Sequence, residues 1–313
     1  MPAKPSTSPR TKPAVTAPAL SFKIDCTLKY RVDGPSEFLF LLHALHGADQ
    51  VVSGEALELE TAGGAPYRVY PDPSLGHRFL RTQAQAGELL LRYRATVRRK
   101  PPKPHPDDNE VAVCDIPDGL LHYLMPTRYC QSDILGRAAQ KHFGGLPPGL
   151  SRVQAVSDWI HDNIDYQIGS TRSTTSAAEV YLARAGVCRD FAHLGVTFCR
   201  ALNIPARLVA GYAIFNEPPP DFHAAFEAYV GGRWVIFDPT QMAKPEHLVR
   251  IASGRDAKDV AFATIFGPAQ MVSMAPLIEV LPVAAEPSER SPAPRHQGPQ
   301  AERGQRGAQA AQR

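Results

Sequence analysis

The stretch GVCRDFAHLGVTFCRALNIPARLVAGY, residues 186–212, places a cysteine directly after Gly-Val and at the head of an amphipathic run. After Cys188 the apolar residues Phe191, Leu194, Phe198 and Leu202 recur at helical spacing, and Pro205 ends the run. Cys188 then falls in the first turn of a helix, beside backbone N–H groups that have no partner inside it. Those groups and the helix dipole favour a thiolate and lower the pKa of the thiol. A thiolate so placed is a nucleophile, and the same N–H groups are aimed to stabilise an oxyanion. On this stretch alone the alternative is a buried cysteine that happens to start a helix.

A base decides between the two readings, and the nearest histidine is the wrong one. His193 lies five residues on, roughly 140° around the helix, so it points away from Cys188 and reads as a packing or hydrogen-bonding residue. Cys199, eleven residues on, returns to nearly the same face but about 16 Å further along the axis, and reads as core. A better base stands in DFHAAFEAYVGGRWVIFDPT, residues 221–240, where two apolar-rich runs flank Gly231-Gly232, the signature of a two-residue hairpin. If those glycines are the whole loop, Val230 faces Arg233 and Asp238 faces Ala225. His223 then shares a sheet face with Asp238 and lies diagonal to it, about 7 Å away between backbones and closer between side chains. A three-residue loop would move Asp238 to the opposite face. Taken singly, a strand histidine is usually a satisfied structural group and an Asp before Pro usually marks a turn. Together with a thiol at a helix start, in the chain order Cys, His, Asp, they form the arrangement in which a base and its orienting group activate a nucleophile.

The rest of the chain is long enough, at 313 residues, for two packed units. From Ser21 to about Arg99 the pattern is strand-like: Phe22, Ile24, Cys26, Leu28, Tyr30 and Val32 alternate with polar residues. The runs EFLFLL, EALELE, APYRVY, HRFLRTQ and GELLLRYRATV follow between Gly, Pro and Asp, which predicts an antiparallel sandwich with Cys26 in its core. A proline-rich linker follows at 101–110, and beyond it the period turns helical. Val153, Val156, Ile160 and Ile164 mark one helix with Ser151 as its N-cap, and Ser176 with Glu179 has the form of a capping box. The expected division is an unfolded tail at 1–20, a β domain at 21–100, the linker, a catalytic domain at 111–283 and a second unfolded tail at 284–313.

The net charge of +3 comes partly from the tails, and no basic patch marks a nucleic-acid partner. No apolar run is long enough to span a bilayer and the first nineteen residues lack a signal-peptide core, so a cytoplasmic protein is expected. The five cysteines, Cys26, Cys114, Cys130, Cys188 and Cys199, are widely spaced without a CxxC pair, and reduced thiols are expected.

The paired Cys-centred and His/Asp-centred segments resemble the transglutaminase-like superfamily, whose core is papain-like, and are most similar to its bacterial cytoplasmic members with an N-terminal β domain. The likeness runs from about Ser132 to Thr240, with weaker similarity through HRFLRT, YLMPTRYCQSD and GRDAKDVAFATIFG. It implies an α+β fold, an antiparallel β-sandwich-like domain followed by a core in which the nucleophile helix packs on an antiparallel sheet. It also implies acyl transfer through a thioester, with Cys188 as nucleophile, His223 as general base and Asp238 as orienting carboxylate. The backbone N–H of Cys188 would form the oxyanion hole with a second donor from Tyr166 or Gln167. No cofactor and no metal are implied, and the partner is a peptide or protein substrate.

Two departures bear on the reaction. Cross-linking transglutaminases place Trp straight after the cysteine, where this chain has Arg189, and many relatives carry Trp two residues after the histidine, where this chain has Ala225. Hydrolysis of a peptide or isopeptide bond is therefore expected over glutamine–lysine cross-linking. Arylamine acetyltransferases share the fold and residue order, but RAGVC, residues 184–188, only partly echoes their Arg-Gly-Gly-x-Cys. The readings from other classes are a non-catalytic scaffold that keeps the fold and a zinc protein using Cys188, Cys199 and His223. Asp256 and Asp259 read as a helix N-terminal turn, and Arg207 as a paired structural charge.

Overall fold

Strict alternation in the first strand becomes one fully buried face: Phe22, Ile24, Cys26, Leu28 and Tyr30 all have 0% exposure. The computed structural model describes residues 19–64, 66–215 and 221–282. The expected unfolded tails lie outside the described residues, apart from 19 and 20, where the first strand opens.

The strands are β1 (Leu20–Val32), β2 (Ser36–Phe40), β3 (Gln50–Thr61), β4 (Tyr67–Pro71), β5 (Arg78–Ala84) and β6 (Gly87–Arg99). Helices α1 (Ser132–Phe143) and α2 (Leu150–Asn163) follow, then β7 (Asp165–Tyr166), α3 (Ala177–Ala183), β8 (Ala185–Gly186) and α4 (Cys188–Ala201). The chain continues through β9 (Ala206–Ala213), β10 (Phe222–Val230), β11 (Arg233–Phe237), β12 (Leu248–Gly254), α5 (Ala257–Val260), β13 (Ala263–Phe266) and β14 (Ala269–Leu281). Among the described residues, no helix is long and apolar enough to cross a membrane.

Two four-stranded sheets, ordered β14-β1-β6-β3 and β13-β2-β5-β4, make the sandwich. Tyr30 of the first packs edge-on against Phe38 of the second, ring centroids 5.5 Å apart. One boundary moves. The sequence division assigned 263–281 to the catalytic domain, but β13 pairs with β2 and β14 pairs with β1 along nearly its whole length. The sandwich is therefore completed by the C-terminal strands. The linker is not free either: Asp108 pairs with Arg233, and Glu110 holds Arg152 at 2.8 Å.

The core sheet is ordered β11-β10-β9-β12, and α4 lies across it with α1, α2 and α3 packed around the helix. Gly195 lets α4 approach this closely, since a Cβ there would lie 2.5 Å from the ring of Phe226. Gly231 and Gly232, with φ of 60° and 75°, form the two-residue turn of the β10–β11 hairpin. Val230 faces Arg233, the register expected from a two-residue loop. Ser176 and Glu179 close the expected capping box on α3, Ser176 N–H donating to Glu179 Oε2 at 2.7 Å. Asp256 caps α5, accepting from Lys258 N–H at 3.0 Å. Helix α2 differs by two residues at its start: Gly149, with φ of 122°, is the N-cap, and Ser151 lies inside the first turn.

The sandwich and the core sheet are joined by buried charge. Glu227 on β10 has 0% exposure and accepts from Arg207 at 2.7 Å and from Arg250 at 2.8 Å, and Arg250 also holds Asp49 at 2.6 Å. Two stability tests follow from these contacts. Gly195→Ala is expected to destabilise by about 1–3 kcal/mol through overpacking against Phe226, read by denaturant unfolding. Glu227→Ala is expected to cost about 3–5 kcal/mol, because it strips Arg207 and Arg250 of a buried carboxylate. A change below about 1 kcal/mol would show the second contact to be dispensable.

Candidate active site

Helix α4 starts where a buried carboxylate closes its first turn. Val187 is extended, with φ of −119° and ψ of 178°, and helical geometry begins at Cys188. Asp190, at 0% exposure, reaches back to accept from Val187 N–H at 3.0 Å and from Thr171 Oγ1 at 2.6 Å. Its other oxygen accepts from Arg189, at 3.0 Å from Nε and 2.7 Å from Nη2. The N–H groups of Asp190 and Phe191 both go to Val187 O, at 2.8 and 3.1 Å. The cysteine is thus held on a turn braced from both sides, half-buried at the helix start.

His223 on β10 and Asp238 just past β11 share a sheet face, as the hairpin register requires. His223 Nε2 lies 2.8 Å from Asp238 Oδ2, with His223 only 2% exposed. Asp238 accepts in addition from Thr240 N–H at 3.0 Å, from Thr240 Oγ1 at 2.7 Å and from Ala243 N–H at 3.0 Å. Burial opposes ionisation of Asp238, but His223 and these donors outweigh it and hold the carboxyl below its usual range. Burial alone would push His223 down; hydrogen bonds to Asp238 and to Cys188, and the charges of both, push it up to about 10. Because Nε2 belongs to Asp238, Nδ1 is the nitrogen left for the thiol.

Of the two residues expected to supply a second oxyanion donor, Tyr166 meets Cys188. Burial raises its phenol first, and the neighbouring Cys188 thiol raises it further. The Gln167 backbone N–H is taken by Gly186 O at 2.9 Å, an extension of the parallel β7–β8 pair. His193 is buried on the far side of α4, where Nε2 accepts from Ala257 N–H at 3.1 Å and the ring stacks on Tyr129. Burial first, then Arg189, pushes it down to about 3, so it stays neutral. Cys26 and Cys199 are fully buried core residues, and all five cysteines are unpaired. With Cys199 near the far end of α4, the zinc set of Cys188, Cys199 and His223 is not brought together. Arg207 pairs with Glu227 and lies 4.1 Å over the Trp234 ring, a structural charge.

Sequence reasoning missed Thr240, Ala243 and Asp190. The first was within reach: Asp238-Pro-Thr240 has the Asx-turn form, in which the Asp side chain accepts from the residue two positions on. The turn reading and the orienting reading of Asp238 describe the same carboxylate. For Asp190 the bond back to Val187 N–H was equally local, an acidic residue three positions after the cap, whereas the bond from Thr171 becomes visible only once that loop is folded against the helix.

The sequence profile of the transglutaminase-like superfamily matches residues 137–239. A solved structure of a candidate cysteine protease from Cytophaga hutchinsonii superposes with a TM-score of 0.81 at 41% identity, covering 87% of this chain and 94% of that one. The chain belongs to the transglutaminase-like superfamily. An uncharacterised protein of Mycobacterium leprae is 32% identical over 152 residues, 46% of this chain and 54% of the relative. An uncharacterised protein of Mycobacterium tuberculosis is 36% identical over 145 residues, 41% of this chain and 46% of the relative. The chain spans about half the length of these curated relatives. The profile match contains Cys188, His223 and Asp238, while the Cytophaga structure also covers much of the sandwich.

The His223–Asp238 pair sets a pH dependence with a definite sign. A histidine raised from 6.5 to about 10 contributes stability that is full below pH 6.5 and lost as pH rises through about 10. Thermal unfolding of the wild type should therefore lose stability over this interval, and Asp238→Asn should flatten the loss. Equal slopes in the two proteins would show that Asp238 does not hold the imidazolium.

Proposed function

We propose that the protein is a thiol-dependent acyl-transfer enzyme that hydrolyses peptide or isopeptide bonds through a thioester on Cys188. The observation that carries this reading is the buried His223–Asp238 pair, whose free Nδ1 belongs to the histidine that the Cys188 side chain pushes upward. His223 takes the thiol proton, the sulfur attacks the amide carbon, and the oxyanion forms against the Cys188 N–H with Tyr166 beside it. The C–N bond then breaks as His223 protonates the leaving amine, and water attacks the thioester with the same imidazole as base. Asp238 keeps the ring in one orientation and favours its cation through both halves of the cycle.

Hydrolysis is favoured over amine transfer by Arg189 and Ala225. Arg189 is committed to Asp190 and to Arg172 O at 2.8 Å, so its side chain braces the helix start. Ala225 is fully buried in a small cluster with Val209 and Leu248, neither of them the aromatic residue that many relatives carry at its position.

The test is iodoacetamide alkylation followed by peptide mass spectrometry, together with turnover of peptide and isopeptide substrates. Fast labelling confined to Cys188 at about pH 6, lost in His223→Ala, is expected of a thiolate paired with an imidazolium. Cys188→Ala should cut turnover by at least about 10³-fold with the fold intact. Labelling at the rate of an ordinary thiol, or undiminished turnover by Cys188→Ala, would overturn the reading in favour of a non-catalytic scaffold.

A further inference from the structure

Beside the reacting groups stands a carboxylate that the proposed reaction does not use. Asp221 lies immediately before β10 and two residues before His223, so strand alternation turns both side chains to one side. Phe222, between them, is held the other way: its ring stacks on Phe262 at 4.8 Å and lies 5.5 Å from that of Tyr212, its partner on β9. Burial raises the Asp221 carboxyl above its usual range, and the charge of His223 offsets part of that rise. From the opposite wall, Tyr166 feels Asp221 as well: after burial and the Cys188 thiol, the Asp221 charge pushes the phenol up further. Tyr166, His223 and Asp221 thus surround one space, and the first two both meet the Cys188 side chain in it.

The charge left over in that space has a sign. A Cys188 thiolate and a His223 imidazolium cancel, and Asp238 is buried behind the ring, engaged by His223, Thr240 and Ala243. Arg189, the cation next to Cys188 in the chain, is committed to Asp190. Asp221 is exposed and forms no ion pair among the described residues, and Tyr166 beside it is 38% exposed, so this side of the site is open to a substrate. A carboxylate without a countercharge at the rim of a cleft attracts cations, and partial burial strengthens the attraction. We propose that Asp221 is a specificity-determining residue that selects amides carrying a positive charge, a Lys or Arg side chain or a free amine, beside the bond to be cleaved. The inference rests on the hydrolase reading and names its substrate class. Asp221 pairs with the cation while Cys188 attacks the neighbouring carbonyl, and it takes no part in proton transfer.

Thiol reagents of opposite charge test this without a known substrate. The full chain is treated near neutral pH with methanethiosulfonates that end in an ammonium or a sulfonate group. Peptide mass spectrometry separates the rate at Cys188 from that at the exposed Cys114, and each rate is divided by that of the same reagent with free β-mercaptoethanol. At Cys188 the ammonium reagent is expected to outpace the sulfonate at least about tenfold. Asp221→Asn should reduce this preference at least about threefold, and Asp221→Glu, which keeps the charge, should retain it. A wild type without the preference, a preference unmoved by Asp221→Asn, or one lost in Asp221→Glu would overturn the proposal. A peptide library cleaved by the wild type then places the charge. Lys or Arg enriched before the cut puts it on the acyl side, enrichment after the cut puts it on the leaving side, and no enrichment overturns the proposal. Fast iodoacetamide labelling of Cys188 without any charge preference removes this inference alone, and labelling at the rate of an ordinary thiol removes the hydrolase reading beneath it.

Discussion

The buried carboxylate of Glu227 is the constraint around which the rest is arranged. It sits on the strand that carries His223, on the same face and four residues away, and is paired with Arg207 on the adjacent β9 and Arg250 on β12, one strand further. Through Arg250 the chain of charge continues to Asp49 at the head of the sandwich, beside Arg99, which is fully buried and donates to Pro245 O at 3.1 Å. Burial first, and then Arg250, lowers Arg99 to about 10, while Glu227 and Asp49 keep Arg250 firmly charged despite its own burial. Buried ion pairs of this kind add little net stability over apolar packing, but losing one partner is costly. Arg250 is shared by Glu227 of the core sheet and Asp49 of the sandwich, so the chain ties the placement of one to the other.

That placement matters because the site is split between elements. Cys188 rides on a helix, and His223 and Asp238 ride on a sheet, so their spacing depends on the helix–sheet contact at Gly195 and Phe226. Asp190 fixes the helix end and Asp238 fixes the sheet end, each a buried carboxylate that accepts backbone N–H and hydroxyl hydrogen bonds. In both cases the same hydrogen bonds that terminate or start a structural element also aim a reactive group. Both sets of hydrogen bonds hold their side chains in one orientation, as the proposed acyl transfer requires.

Legibility in the sequence followed the range of the interaction. The α4 register, the Ser176–Glu179 box and the Gly231-Gly232 turn are set by residues within a few positions of one another, and each could be read from spacing. The meeting of His223 with Asp238 came through the hairpin, because a two-residue loop fixes the parity of both strands. Strand periodicity says which face is buried and nothing about which strand is the neighbour. For that reason periodicity leaves residues 263–281 with the domain that precedes them, although Ile24 on β1 pairs with Ile278. The brace from Thr171 to Asp190 was hidden for a related reason: a lone hydroxyl in a loop matches no period.

The return of β13 and β14 alters what the two parts of the chain are to one another. The superfamily profile ends at residue 239, yet the chain continues past it to form an edge strand on β1. The transglutaminase-like core is thus inserted between the sixth and the last two strands of the sandwich, and the sandwich is whole only when the core has brought its two ends together. Closing a loop of that length is entropically costly but only logarithmically so, and a folded insert with adjacent ends reduces the cost further. The β1–β14 pairing and the Glu227 ion chain then reinforce one another, the first tying the ends of the insert and the second its middle. A β domain joined only by a single linker would be free to swing. Here it is tied at both ends of the core and by buried charge between them, which makes it a rigid support for the sheet that carries the histidine.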